Sequence, residues 1–378
     1  MNPLVLSSKS PHRKLTHFAP ASELPRWLIP AAAFTALACV TCGQRQSTPA
    51  ERSFEQQGVH EEAVKFVSGK ITLAGTLVLP EGAHRYPAVV LFHGSGPQKR
   101  DLSTARWFAG QGFAALAYDK RGVGESDGDF RAVPFMELCD DGLAGIDYLK
   151  SRSEIDAKRI GVWGLSQGAW LGPLAASRSP EVTFVIAVSG PGVSPGEQRI
   201  VFYANELRDR GMSESDVREA SAVRRDTWNY MSTGRDYEKV RGELEKAQTK
   251  AWFGQASAQQ DDSFGVLPTP DQLGKPVGRS LIWLRHEAIY DPVPALRALR
   301  VPALFLFGDK DRLIPVEQSV AVIKRVQAED RHHDFTIREL PNDDHGMYLV
   351  SSHGNGAIDP EYLKTMREWL RAHVLKTP

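Results

Sequence analysis

The feature of this sequence that most constrains its fold is an alternation of short apolar runs with longer segments of helical periodicity. Largely apolar runs occupy residues 87–92, 113–118, 159–163, 182–188 and 301–307, and an alternating run occupies 335–340. Apolar residues recur with a helical period in 105–111, 135–150, 168–177 and 316–327. Continuous apolar runs are typical of strands buried on both faces of a sheet. The pattern predicts an α/β fold with a mostly parallel sheet flanked by helices.

A strand pair, preceded by a linker, is predicted at the start of the folded region. Residues 64–67 and 71–79 are apolar or alternating and are separated by a polar turn, which brings the predicted sheet to eight strands. Residues 41–61 are rich in polar residues and have no apolar period, which is typical of a linker. We therefore expect the core to occupy 62–191 and 291–378.

A stretch of higher charge, residues 192–290, interrupts this alternation between the sixth and seventh predicted core strands. Apolar runs are missing from it, and helix-like segments occur at 196–210 and 213–231. An insert of this size and character predicts a helical lid.

Residues 1–40 have the composition of a bacterial export signal. A basic start is followed by an apolar run at 27–40, which is shorter than the about 20 residues that span a bilayer. Ala36-Leu37-Ala38 offers a cleavage site, and Cys39 directly after it resembles the lipidated cysteine of a lipoprotein. These features predict a periplasmic, secreted or lipid-anchored protein. The alternative is an unstructured tail without a sorting role.

Charge and cysteine content argue against two classes of protein. The 46 basic and 46 acidic residues balance to a net charge of zero, and no basic run is dense enough to make nucleic acid an expected partner. Three cysteines are too few for a disulfide framework. Cys39 and Cys42 form a C-x-x-C pair without the further ligands of a zinc site.

A G-x-S-x-G motif stands between a predicted strand and a predicted helix, at residues 164–168. In this context the serine occupies a strained turn that exposes its hydroxyl, and the flanking glycines avoid collisions with the crossing chain. Ser166 is therefore the candidate nucleophile. The Gln167 amide, at the start of the helix, is a candidate oxyanion donor.

A second oxyanion donor is expected in the loop after the strand at 87–92. This loop reads His93-Gly-Ser-Gly-Pro97, and its small residues allow a backbone amide to approach a substrate carbonyl. The Ser95 amide is the candidate, followed by Gly94. A tight turn without a catalytic role is the alternative.

The acid and the base are expected after the last two core strands, because the order for such a site is serine, acid, histidine. Asp311 fits the acid better than the alternative Asp309, since a loop needs a few residues to bend toward the histidine. His345 follows the strand at 335–340 and is the candidate base, with His353 as the runner-up.

Together these elements resemble the α/β-hydrolase superfamily, in particular its bacterial esterase, dienelactone-hydrolase-like and serine-aminopeptidase-like branch. The resemblance covers about residues 62–375 and rests on segments 93–97, 118–126, 164–168, 308–311 and 344–346. It implies a serine hydrolase whose loop at 118–126 turns tightly near the active site and has no catalytic role in most members.

The expected reaction is cleavage of a carboxylic ester or thioester, a small-molecule acyl substrate, through an acyl-enzyme. We expect no metal and no organic cofactor, because this acyl transfer needs neither. A peptidase acting on short peptides is the nearest alternative, and Glu197, Glu206 and Asp209 are candidates for gripping a free amino terminus. The same triad would serve an acyltransferase or a perhydrolase. A ligand-binding protein without activity is the remaining alternative.

Overall fold

The computed structural model describes residues 58–82, 85–190, 192–257, 265, 267–273, 287–351 and 354–375. The predicted export signal, Cys39, Cys42 and most of the predicted linker lie outside these residues, as does His353. Within the described ranges, no helix has the length and apolar character needed to cross a membrane.

The core is an eight-stranded sheet in the order β1-β2-β4-β3-β5-β6-β7-β8. Strands β3 to β8 are parallel, and β2 pairs antiparallel with both β1 and β4. This confirms the predicted fold class. The strands are β1 Val59–Ser68, β2 Ile71–Pro80, β3 Tyr86–Phe92, β4 Ala114–Tyr118, β5 Ile155–Leu165, β6 Val185–Val188, β7 Ala303–Gly308 and β8 Phe335–Leu340, followed by a small hairpin of β9 Tyr348–Ser351 and β10 Gly354–Ile358.

The first strand begins inside the stretch predicted as a linker. Val59 pairs with Pro80 in a register that continues without interruption to Ser68 opposite Ile71. Residues 59–61 are thus ordered by the ladder with β2, although their own sequence has no apolar period.

Eleven helices stand in the described residues. They are α1 Leu102–Gly110, α2 Phe135–Lys150, α3 Gln167–Arg178, α4 Pro195–Asp209, α5 Glu214–Thr233, α6 Tyr237–Ala247, α7 Ala251–Ser257, α8 Pro270–Leu273, α9 Val293–Ala298, α10 Val316–Glu329 and α11 Pro360–His373.

Helices cover both faces of the sheet, because successive side chains of a buried strand point to opposite faces. In β3, Val90 packs in the cluster that contains α2, α3, α9 and α10, whereas Val89 and Leu91 pack in the cluster that contains α1 and α11. The parallel strands therefore end at one edge between two helical layers, where ligands bind in sheets of this kind.

The insert between β6 and β7 contributes α4 to α8 and has an apolar core of its own. Trp252 and Tyr203 are buried in this cluster. Its two ends are joined at the base, where the Gly196 amide donates to the Ala288 carbonyl at 2.9 Å. The insert is helical where it is described, and its action as a lid stays a prediction.

Candidate active site

Ser166 lies at the point where β5 turns into α3, in a backbone conformation that side chains rarely adopt. Its φ is 57° and its ψ is −114°. Such strain persists only when the surroundings hold it. Here the Ser166 amide donates to the Val188 carbonyl at the end of β6, at 2.9 Å. The neighbouring strand thus fixes the turn that presents the serine.

The two glycines of the motif are required by close backbone approaches. A Cβ atom on Gly164 would lie 2.2 Å from the Gly168 carbonyl oxygen. One on Gly168 would lie 2.6 Å from the Phe92 carbonyl oxygen, at the end of β3. The start of α3 is therefore packed directly against the loop that follows β3.

The structure pairs His345 with Asp311. Asp311 Oδ2 accepts a hydrogen bond from His345 Nδ1 at 2.7 Å, and Asp311 Oδ1 accepts one from the Leu313 amide at 2.8 Å. The Asp311 side chain is fully buried, and that of His345 is 16% exposed. A hydrogen on Nδ1 leaves Nε2 as the basic nitrogen of the ring.

This pairing controls the protonation of His345. Burial alone lowers the pKa of the imidazole, but the charge and hydrogen bond of Asp311 more than offset it, so that the pKa of His345 is raised. The acid thus makes the histidine a stronger base than a solvated imidazole.

Asp309, the alternative acid, has other partners. Its Oδ1 accepts from the Asn342 amide at 2.6 Å, and its Oδ2 lies 3.1 Å from Lys310 Nζ. Asp309 thus connects the loop after β7 to the loop after β8, and Asp311 alone of the two contacts the histidine.

The turn that carries His345 is held by its neighbour Asp344. Asp344 Oδ1 accepts from the amides of Gly346 at 2.8 Å and Tyr348 at 3.0 Å. Since Ser166, Asp311 and His345 follow β5, β7 and β8, the three candidate residues share the carboxyl edge of the sheet.

The two candidate oxyanion amides belong to segments that are in contact. The Gln167 amide is in the first turn of α3, where N–H groups have no acceptor within the helix. In the loop after β3, the Gly94 amide donates to Gln98 Oε1 at 3.0 Å, which favours Ser95 over Gly94 as the second donor.

A buried lysine connects the loop after β3 with the start of α3, and the sequence patterns did not identify it. Lys120 Nζ donates to the Gly94 carbonyl at 2.8 Å and to Gln167 Oε1 at 2.6 Å. Gln167 Nε2 in turn donates to the carboxylate of Glu287. Lys120 belongs to segment 118–126, for which the family resemblance predicts a tight turn near the site without a catalytic role. The sequence shows only that a lysine follows a buried strand closely. It does not show which residues that lysine contacts, because they are distant in sequence.

The rest of this segment is fixed by its own hydrogen bonds. Asp119 accepts from the backbone and the guanidinium of Arg100, and Ser126 Oγ donates to the Asp119 carbonyl at 2.6 Å. Gly124 has a φ of 57°, and a Cβ there would lie 2.2 Å from Asp119 Oδ2. The backbone of Lys120 is therefore held firmly on both sides.

Helix α4 of the insert contacts the loop that carries the acid. Gln198 Nε2 donates to the Leu313 carbonyl at 2.6 Å, and Asn205 Nδ2 donates to the Arg312 carbonyl at 2.7 Å. Asp209 pairs with Arg312 at 2.9 Å. The insert thus packs against the backbone around Asp311.

Two of the acids considered for gripping an amino terminus are engaged in ion pairs. Glu197 pairs with Arg225 at 2.7 Å, and Asp209 pairs with Arg312. An acid that already has a cationic partner attracts a second cation less strongly, so these residues are less suited to that role.

Comparison with known proteins places this geometry in a family. Residues 68–283, more than half of the chain, match the sequence profile of the X-Pro dipeptidyl-peptidase (S15) family. The chain belongs to this family. The matched region of this S15-family chain includes Ser166 and Lys120 and ends before Asp311 and His345.

Several curated proteins and solved structures are also similar to this chain. The S15-family chain is 26% identical over 257 residues to an uncharacterized 31.7 kDa protein in the traX-finO intergenic region of Escherichia coli, a match that spans 67% of this chain and 82% of that protein. It is 26% identical over 322 residues to the esterase EstD of Thermotoga maritima, spanning 82% and 64%. The α/β-hydrolase GrgF from Penicillium sp. sh18 superposes with a TM-score of 0.53 at 18% identity, spanning 84% and 100%.

These findings confirm the α/β-hydrolase superfamily and its fold. The S15-family chain is an enzyme, a serine hydrolase of the α/β fold. The family and the fold do not distinguish between ester and peptide substrates.

Proposed function

We propose that the chain hydrolyses a carboxylic ester or thioester through an acyl-enzyme formed on Ser166. The observation that carries the proposal is the hydrogen bond between His345 Nδ1 and Asp311 Oδ2, at the sheet edge where the strained Ser166 turn also lies. A serine, an imidazole and a carboxylate at one edge of the sheet are the parts of a nucleophilic triad.

In the first step Ser166 Oγ attacks the substrate carbonyl while His345 Nε2 takes the hydroxyl proton. The imidazolium that forms is stabilised by Asp311, and the amides of Gln167 and Ser95 bind the oxyanion. His345 then returns the proton to the leaving alcohol or thiol as the carbon–oxygen or carbon–sulfur bond breaks. In the second step a water, deprotonated by His345, releases the acid and restores Ser166.

We favour ester cleavage over peptide cleavage because two of the three acids considered for binding an ammonium group already have cationic partners. A dipeptidyl-peptidase must bind a free ammonium group, which calls for an acid without a cationic partner. Glu197 and Asp209 both have arginine partners. A relative that matches 82% of this chain is an esterase by name, which agrees with this preference.

Peptide hydrolysis is the second candidate, and the family match favours it. The profile that matches residues 68–283 is described as an X-Pro dipeptidyl-peptidase. The same Ser166, His345 and Asp311 would serve this reaction, so only the substrate distinguishes the two proposals.

Two experiments test the proposal. A fluorophosphonate probe should label the wild type and not Ser166→Ala; labelling that persists in the variant excludes Ser166 as the nucleophile. A panel of p-nitrophenyl esters, thioesters and Xaa-Pro anilides then ranks the substrates. We expect the esters to give the higher kcat/KM, and a preference for the Xaa-Pro anilides would establish the peptidase instead.

A further inference from the structure

The strongest further candidate for a functional role is Lys120. It is a buried residue, with 3% of its surface exposed. Its ammonium group donates to the Gly94 carbonyl at 2.8 Å and to Gln167 Oε1 at 2.6 Å. Gly94 is next to Ser95, and Gln167 is itself the other proposed oxyanion donor. One side chain therefore forms hydrogen bonds with both of the segments that carry the proposed oxyanion donors. The spacing of these two segments sets the distance between the two amides.

The contact continues from Gln167 into the insert. Gln167 Nε2 donates to the Glu287 carboxylate, and the next residue, Ala288, accepts the Gly196 amide at the base of the insert. The Gln167 side chain thus lies between Lys120 of the core and Glu287 of the insert.

We propose that Lys120 is a positioning residue, which holds the Ser95 and Gln167 amides at the spacing the oxyanion requires, and that Glu287 connects the insert to this arrangement. The inference rests on the proposed serine-hydrolase function and deepens it, because it names what fixes the oxyanion site.

The surroundings of Lys120 support a functional role rather than a purely stabilising one. Burial lowers the pKa of Lys120 to about 8, and the negative charges of Glu287 and Asp141 oppose that effect only in part. His93, on the other side, is held neutral, since burial and the Lys120 charge lower its pKa to about 3. Removing only one member of such a buried contact leaves its partners without a hydrogen bond. The two acceptors of the ammonium group belong to the two oxyanion segments, and this geometry is what points to a positioning role.

The test compares Lys120→Met with the wild type on the best ester from the panel. Methionine keeps the approximate length of the side chain and removes the charge and the donors. We expect kcat to fall by about 10- to 100-fold, because a small displacement of catalytic groups costs that much, with KM changed less than about 3-fold. Because two buried acceptors lose their donor, the melting temperature should also fall, and kcat is compared at a temperature at which both proteins are folded.

Gln167→Met breaks the hydrogen bond between Lys120 and Gln167 from the other side. This variant still tests the proposal if Lys120→Met fails to fold. It removes the acceptor of Lys120 and the donor to Glu287 but leaves the Gln167 backbone amide in place. Because the two residues act through one contact, the double variant should lose little more kcat than either single variant. Losses in kcat that multiply would contradict the shared role.

The pH dependence of kcat supplies a readout that a structural role would not move. Loss of the ammonium charge above about pH 8 should weaken both hydrogen bonds, so wild-type kcat should decline there. In Lys120→Met this decline should be absent. The same alkaline decline in both proteins would count against the proposal.

Arg121→Lys is the matched control. Arg121 is equally buried and adjacent in sequence, but its guanidinium bonds Asp141 and Glu137 of α2 and neither oxyanion segment. Its kcat should remain within about 2-fold of the wild type. If the wild type reacts with fluorophosphonate and Lys120→Met retains its kcat, the role of Lys120 is overturned while the hydrolase stands. If the wild type fails to react, the proposed function itself is overturned.

Discussion

Asp311 holds His345 with one carboxylate oxygen while the Leu313 amide holds the other, at 2.7 Å and 2.8 Å. The orientation of the imidazole is thus set by a buried group that is itself fixed by the backbone. Asp311→Asn should lower kcat by about 10⁴-fold, since an amide at this position favours the wrong imidazole tautomer. Steady-state kinetics on the best ester measures this.

Asp309→Asn is the comparison for that variant. Asp309 lies two residues away and bonds the Asn342 amide and Lys310, not His345. We expect kcat to change far less, by about 10-fold or less, through the contact between the two loops. A larger loss of kcat in Asp309→Asn than in Asp311→Asn would show that Asp309, not Asp311, is the acid of the triad.

The acid limb of the pH profile should report His345. The histidine must be neutral to take the proton from Ser166, so kcat/KM should rise with pH through its pKa in the free enzyme. Because Asp311 raises that pKa, the rise should be centred above about 6.5, the value for a solvated imidazole. A profile that is flat between pH 5 and about 8 would exclude a histidine base.

The sequence could predict that the three candidate residues share one sheet edge, because each one follows a strand that its own apolar or alternating run identifies. Asp311 and Asp309 both follow β7, and the choice between them depends on the path of the loop. Lys120 could not be found in this way, since its partner Gln167 is 47 residues away. Glu287 is 120 residues from Gln167, and only the folded chain brings them together.

The parts of the fold that the sequence did not predict are strand residues that are ordered by hydrogen bonds to a neighbouring strand. These residues have no recognisable apolar periodicity of their own. Residues 59–61 have no apolar period, yet they extend β1 because β2 offers a continuous partner. In the small hairpin, β9 has only four residues, and β10 contains two glycines in Gly354–Ile358. Local sequence carries little information about such strands.

The glycine contact at the nucleophile turn predicts a sharp loss of activity from a single methyl group. Gly168→Ala would place Cβ 2.6 Å from the Phe92 carbonyl oxygen, which lies just before the loop that carries Ser95. Since backbone must move to relieve this collision, we expect kcat to fall by about 100-fold or more. Fluorophosphonate labelling should slow in parallel.

Gly172→Ala is the control in the same helix. A Cβ there would lie 3.3 Å from a methyl group of Val162, a side chain that can adjust. Its kcat should remain within about 3-fold of the wild type, because the change lies six residues beyond Ser166, more than one helical turn away. Equal losses of kcat in both variants would show that any methyl group on this helix disturbs the site.

A buried carboxyl beneath the histidine turn predicts an effect of pH on stability. Asp343 is fully buried. Burial, followed by the nearby Asp359, raises the pKa of Asp343 from 3.8 to about 7. The folded protein therefore keeps this proton over a range in which the unfolded chain loses it. The contribution of Asp343 to the free energy of unfolding should fall as pH rises from about 4 to about 7.

Asp343→Asn removes this ionisation and keeps a similar shape. At pH 8 the variant should be more stable than the wild type by about 1 to 3 kcal/mol, because a buried carboxylate without partners costs more than a neutral amide in the same place. At pH 4, where the wild-type carboxyl is protonated, the gain should vanish. Urea unfolding at both values measures the difference between the two proteins. A variant that is less stable at pH 8 would mean that the folded protein binds the Asp343 carboxylate in its charged form.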